Sequence, residues 1–277
     1  MRWCVSIGVA LVAGALVGGD VASVAAPNAA SQLAQKSAEA QVDVELVLAV
    51  DVSYSMDLEE LAIQREGYAQ AIISSDFLKA LKTGPHGKVA VTYFEWAAAH
   101  DQKIIIPWRI VDGPETADAV AAEIMKAPLR RASRTSISGA INFGMQVLAD
   151  NPYKGLRRVI DISGDGPNNN GEPVLIARDA ALEKGVTING LPVMVKQASY
   201  ATMDIEQLDL YYEDCVIGGP GSFVIPIKDR SKFREAIRTK LILEVAGLQP
   251  KVVPAQAREP RVSCTIGEQL WRERWGR

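Results

Sequence analysis

The segment Val42-Asp-Val-Glu-Leu-Val-Leu-Ala-Val50 constrains the fold more than any other, because only Asp43 and Glu45 interrupt an apolar, β-branched run. A helix on a protein surface shows apolar residues at a period of 3.6 and a half-exposed strand shows them at a period of two. From Leu46 onward this run shows neither, so it suits a strand covered on both faces, and such strands sit inside parallel sheets. Parallel neighbours need crossovers, which are usually helices. The chain supplies them. A helical pattern runs from Leu58 through Ile73, with Leu61, Tyr68 and Ile72 on one side, and strands follow at 88–96 and 103–110. The 97–102 segment between those strands is short enough for a hairpin. Helices are expected near 114–126, opened by Pro114 and Glu115, and near 138–149, after a Ser/Thr cluster able to cap it. A strand at 157–163, a helix at 173–184 closed by Gly185, and a strand at 186–193 continue the alternation. A helix at 204–213, a sixth strand at Ser222–Ile227 and an amphipathic helix at 229–243 complete it. Strands alternating with helices predict one α/β domain, over about 43–247, with a mostly parallel six-stranded sheet.

The chain begins differently. Arg2 precedes an apolar stretch, Trp3 to Gly19, and small residues follow around Ser23, Ala25, Ala26 and Ala30. A charged start, an apolar centre and a small-residue exit describe a secretory signal peptide. The stretch has 17 residues and four glycines, short of the roughly 20 apolar residues of a membrane span. The expected order is a signal peptide at 1–25, a linker at 26–42, the α/β domain at 43–247 and a tail at 248–277. Ala30 offers a second cleavage point, and an uncleaved anchor is the alternative reading. Export to a periplasmic or secreted location leaves Cys215 and Cys264 after cleavage, an even number in an oxidising compartment. They are read as a disulfide, with two buried thiols as the alternative.

Charge excludes one class of partner. Lys and Arg total 30 against 33 Asp and Glu, a formal charge of −3, so no basic excess exists to release counterions from nucleic acid. His86 and His100 are the two histidines, too few for a three-histidine zinc site. Both read as solvated loop residues. The tail carries Lys251, Arg258, Arg261, Arg272, Arg274 and Arg277 against Glu259, Glu268 and Glu273, which leaves about −6 on the remainder. Trp271 and Trp275 stand one helical turn apart in it. With Cys264 inside it, the tail is expected to dock on the domain instead of fraying.

Where the first strand stops, Asp51-Val-Ser53-Tyr-Ser55 places three oxygen-bearing side chains at alternate positions. In open parallel sheets the carboxyl ends of the central strands form the ligand crevice. Arg134-Thr135-Ser136-Ile-Ser138-Gly139 lies in a loop before a helix and offers another hydroxyl. Ser163-Gly164-Asp165-Gly166 closes the 157–163 strand with a carboxylate between two glycines, which permit a tight turn. Five hard oxygens on separate loops suit a hard divalent cation such as Mg²⁺ or Mn²⁺, which needs only one or two carboxylates. The alternative is Ser/Asp turn and cap chemistry without metal. Asp57, Glu59 and Glu60 favour the positive end of the first helix. Asp161 reads either as a support for the site or as a strand hydrogen-bonding group. Asn168-Asn-Asn170 reads as an exposed turn bordering Asp165, able to help grip a ligand. Gly218-Gly-Pro-Gly221 lacks the Gly-Lys-Ser/Thr ending of a phosphate loop and reads as a turn.

This order of residues resembles the von Willebrand factor A domain, with its metal-ion-dependent adhesion site (MIDAS), and more narrowly a group of exported bacterial A-domain proteins of unassigned function. The D-x-S-x-S signature, downstream Thr and downstream Asp match Asp51, Ser53, Ser55, Thr135 and Asp165. The resemblance implies a doubly wound, Rossmann-like sheet with one antiparallel edge strand, and a cation that captures an Asp or Glu carboxylate of a protein partner. Arg134 departs from the pattern, where small residues are usual, and implies a cation site partly shielded or electrostatically altered. Two other readings stand beside it. One is a metal-dependent phosphatase with Asp51 as nucleophile, although Ser53 stands where that chemistry wants a second carboxylate. The other is a scaffold that no longer binds metal.

Overall fold

The computed structural model describes residues 40–196, 204–247 and 259–275; the expected signal peptide and most of the expected linker lie outside them. The buried run forms β1 (Ala40–Asp51), the centre of a five-stranded sheet. With β2 (Val89–Trp96), β3 (Gln102–Val111), β4 (Tyr153–Gly164) and β5 (Thr187–Pro192), the order is β3-β2-β1-β4-β5. β1 pairs in parallel with both β2 and β4, β4 with β5, and only β2 and β3 are antiparallel. The fold is therefore α/β with a mostly parallel sheet and one antiparallel edge strand. β1 begins inside the segment expected to be linker, because Ala40–Val42 pair with Tyr153–Gly155.

Helices cover both faces. Val44, Leu46, Leu48 and Val50 pack with Tyr68 and Ile72 of α1 (Leu58–Ile72), Val120 and Ile124 of α3 (Pro114–Lys126), and Ile237 and Leu241 of α7 (Phe233–Ala246). Val47 and Ala49 point the other way, to Ile137 and Ile141 of α4 (Ile137–Ala149) and Ala177 and Ala181 of α5 (Val174–Glu183). Each such side chain contributes about 1.5–3 kcal/mol when fully buried, which is why β1 tolerates no exposed face. A short helix, α2 (Ser75–Leu81), follows α1 with Ser74 as its N-cap; the sequence pattern did not separate it. The expected helix at 204–213 is α6 (Leu208–Tyr211) running into a π-turn at Tyr212–Val216. The tail contains α8 (Ile266–Trp275).

The expected sixth strand is not one. Residues 222–227 run beside β5 through isolated bridges at Gly190–Val224 and Val193–Ile227. Pro226 has no N–H to give a ladder, and Gly219 and Gly221 take left-handed backbone just upstream. The Asn189 side chain accepts from the Phe223 N–H in place of a regular ladder bond. Asp161, in β4, meets Lys240 of α7 at 2.9 Å with both side chains fully buried, and Lys240 also meets Glu244 at 2.9 Å. Asp161 thus fastens a helix to the sheet.

Candidate metal centre

Asp51 is the last residue of β1 and is fully buried. Its Oδ1 accepts from the Ser53 N–H at 2.7 Å, and the Met56 N–H closes a turn onto the Ser53 carbonyl at 3.1 Å. That turn brings the Ser53 and Ser55 hydroxyls to 2.8 Å of each other. Asp57 then caps α1 in a capping box with Glu60. From the end of β4, Asp165 reaches the same place. Its Oδ1 accepts from Ser55 Oγ at 2.6 Å and stands 3.5 Å from Ser53 Oγ.

Thr135 comes from the loop before α4. Three bonds stitch that loop to the crevice: Ala132 N–H to the Val52 carbonyl at 2.9 Å, Ser136 N–H to the Ala97 carbonyl at 2.7 Å, and Thr135 N–H to Asn169 Oδ1 at 3.0 Å. Thr135 is 5% exposed, and its hydroxyl is 3.8 Å from where a Cβ on Gly166 would stand. Gly164 is demanded by space. A Cβ there would lie 2.9 Å from Asp51 Oδ2 and 3.0 Å from the Tyr212 hydroxyl. Neither Gly164 nor Gly166 takes a left-handed conformation; close approach sets Gly164, while a Cβ at Gly166 would meet only ordinary contacts.

The electrostatics of this cluster are unfavourable for protein alone. Burial pushes Asp51 up to about 7, partly offset by the Ser53 N–H. Burial, then the neighbouring Asp51, holds Asp165 well above the ordinary carboxylate range. Asp51 Oδ2 is buried with no protein hydrogen-bond partner. A divalent cation neutralises two such carboxylates and takes up the spare oxygen, while the hydroxyls supply neutral ligands. Among the described residues no group of three or more His, Cys, Asp or Glu side chains is placed to hold a metal. A cation here would rest on two carboxylates and hydroxyls. The residues fit a hard divalent ion.

Three neighbours were not foreseen from the sequence. Lys196 Nζ donates to the Ser55 carbonyl at 2.6 Å and pairs with the buried Glu60. With Asp204 and Lys228 they line a cavity of about 540 Å³ that opens beside Asp165. No local spacing signals that grouping, since the residues come from four separate segments. The three asparagines are an internal brace instead of an exposed turn. Asn168 is fully buried, and its Oδ1 accepts from the Ser138 N–H and hydroxyl. Asn169 holds Thr135, and Asn170 Oδ1 accepts from the Ala99 N–H at 2.9 Å. Arg134 lies with its guanidinium 3.2 Å from the ring centroid of Trp271 in α8. Among the described residues, no hydrogen bond or ion pair joins it to Asp51, Ser53, Ser55, Thr135 or Asp165. Cys215 and Cys264 are joined as a disulfide.

A family model described as "Protein of unknown function (DUF1194)" matches residues 41–249. No curated protein matches the sequence. Among solved structures, the chain is similar to proximal thread matrix protein 1 from the mussel byssus "with zinc occupied MIDAS motif", at TM-score 0.53 and 16% identity, over 75% of this chain and 49% of that one. It is similar to the pilus adhesin SpaC from Lactobacillus rhamnosus GG, at TM-score 0.55 and 11% identity, over 74% and 31%. It also matches a structure described as von Willebrand factor type A from Catenulispora acidiphila, at TM-score 0.49 and 12% identity, over 74% and 43%. The chain spans about half the length of the mussel protein and under a third of the pilus adhesin. The chain shares its fold with the mussel matrix protein and the pilus adhesin.

Proposed function

The chain belongs to the DUF1194 family, and from that premise we propose that it is an exported, metal-dependent binding module. Asp51, Ser53, Ser55, Thr135 and Asp165 hold Mg²⁺ or Mn²⁺, and the cation captures an Asp or Glu carboxylate of a protein partner. The observation that carries this reading is Asp51 Oδ2, a buried carboxylate oxygen without a protein partner, set between strand ends beside a second raised carboxylate. Mg²⁺ prefers six oxygens and keeps several waters. One of those waters is the position a partner carboxylate takes.

Several features support the wider reading. A solved neighbour carries a zinc-occupied MIDAS motif, and another is a pilus adhesin. The Cys215–Cys264 bond suits an oxidising compartment, in agreement with a cleaved leader at 1–25 and a periplasmic or secreted location. No helix among the described residues is long and apolar enough to cross a membrane. The domain begins with β1 at Ala40 and is read as running to 247, with the 248–277 tail docked through the disulfide. Binding is favoured over phosphatase chemistry because Ser53 occupies the position where a proton-donating carboxylate would assist Asp51.

The test is capture from an extract of exported proteins by the immobilised mature chain. Retention of a partner that is released by chelator and restored by Mg²⁺ supports the reading. A partner that stays bound in chelator and elutes with salt contradicts it. Turnover of a generic phosphate monoester, lost in Asp51→Asn, would support the phosphatase instead.

A further inference from the structure

The loop that carries Thr135 is held from outside the sheet by the C-terminal helix. Arg134 has φ +76°, the one non-glycine residue with positive φ among the described residues. An arginine gains nothing locally from that conformation, which is sparsely populated for residues with a Cβ. Its guanidinium stacks on Trp271 at 3.2 Å, and that contact offsets the local cost. The same helix also grips the neighbouring loop after β4, which braces the Thr135 loop through Asn168 and Asn169. At Gly267 a Cβ would stand 2.0 Å from the Asn168 carbonyl oxygen, so helix and loop touch through backbone. Asn168 Nδ2 donates to Glu268 Oε1 at 2.7 Å, while its Oδ1 accepts from the Ser138 N–H at 3.0 Å. Thr135 therefore lies between two contacts made by α8, one directly at residue 134 and one relayed by Asn168 to residue 138.

The helix itself is tethered. Cys264, two residues before α8, is bonded to Cys215 in the buried π-turn after α6. Arg261 adds ion pairs to Asp214 at 2.7 Å and Glu213 at 2.6 Å. These bonds tie α8 down beside the loop that carries the candidate ligand Thr135.

We infer that Trp271 is a positioning residue for the cation site: by holding Arg134 in its left-handed conformation it sets where Thr135 presents its hydroxyl. The inference rests on the metal-binding reading above for its consequence, though not for the positioning itself.

The test uses the full mature chain as wild type, Trp271→Ala, Trp271→Phe, Arg134→Gly and the Cys215→Ser/Cys264→Ser pair, with two readouts. The first is hydrogen exchange at the Thr135, Ser136 and Ser138 amides without added metal. The second is Mn²⁺ affinity by calorimetry. Trp271→Ala should speed exchange at these amides and weaken Mn²⁺ binding about 5-fold, the scale of one exposed cation–π contact. Trp271→Phe, which keeps a ring under the guanidinium, should recover most of both. Arg134→Gly, which relieves the backbone but gives up the stacking contact, should still weaken Mn²⁺ binding. Unchanged exchange in Trp271→Ala overturns the inference, as does an Arg134→Gly protein with wild-type affinity. If wild type binds no Mn²⁺, the metal reading fails, and the exchange arm still decides the positioning. If the cysteine pair does not fold, the Trp271 variants carry the result.

Discussion

Ser55 Oγ donates to Asp165 Oδ1 across 2.6 Å, closing a separation of 110 residues between the end of β1 and the loop after β4. The bond exists because β1 and β4 are parallel neighbours, with Val50 level with Ser163. Strands that start together at one edge must deliver their last residues to the same edge. A serine four residues past Asp51 and a carboxylate two past Ser163 then converge without a dedicated loop. This is the physical content of a crevice at the carboxyl ends of a parallel sheet.

Thr135→Ala separates binding from folding. Its backbone N–H remains bonded to Asn169 Oδ1, and the side chain loses its hydroxyl and one methyl group. Unfolding free energy should fall by about 1 kcal/mol or less, while cation affinity falls about 10-fold, equivalent to roughly 1.4 kcal/mol. Urea unfolding and calorimetry on one preparation check both. Equal losses in the two measurements would show that Thr135 is structural only.

Gly164→Ala should disable the site with the sheet intact. A Cβ 2.9 Å from Asp51 Oδ2 and 3.0 Å from the Tyr212 hydroxyl has nowhere to go. Overpacking of this kind costs about 1–3 kcal/mol, and the cheapest relief moves Asp51. Thermal unfolding should show the lower stability, with cation binding lost. Retained wild-type affinity would mean that Asp51 is not where the cation sits.

Lys240→Met should be among the most damaging single changes away from the crevice. It leaves Asp161 and Glu244 buried with no cation between them. Breaking a buried ion pair by removing one partner costs about 3–5 kcal/mol. Adding Asp161→Asn should restore part of the loss in denaturant unfolding. No recovery in the double variant would show that methionine packing, and not stranded charge, sets the penalty.

The disulfide predicts that the mature chain has no thiol to label under denaturing, non-reducing conditions. A loop of 49 residues' separation is worth about 4 kcal/mol in the chain-entropy model. Reduction should lower the unfolding midpoint accordingly and expose two thiols. Two labelled thiols before reduction would refute the pairing.

What the sequence made legible follows from locality. β1 is readable because Leu46–Val50 is apolar at every position, the helix from Leu58 because its apolar residues recur on one side, and the helix from Ile137 because a Ser/Thr cluster able to cap it stands before it. The crevice location followed from where β1 stops. Features built by distant contacts were not readable. Asn168–Asn170 look like a turn in the chain, yet each spends its side chain or backbone on the Ala97–Ser138 loops. Nothing near Arg134 in sequence announces its contact with Trp271, 137 positions later. Residues 222–227 read as a strand from composition, and Pro226 with the preceding left-handed glycines decided otherwise.

The central claim is that Asp51 and Asp165 hold a divalent cation that hydroxyls complete. The most direct measurement is a calorimetric titration of Mg²⁺ and Mn²⁺ into the chelator-treated mature protein and into Asp51→Ala/Asp165→Ala. The account predicts one saturable site per chain in wild type, no site in the double variant, and an intact fold in both without metal. Saturating ion at about 100 times its dissociation constant should then add about 2.7 kcal/mol to wild-type stability alone. No heat of binding in wild type, or the same isotherm in the double variant, would contradict it.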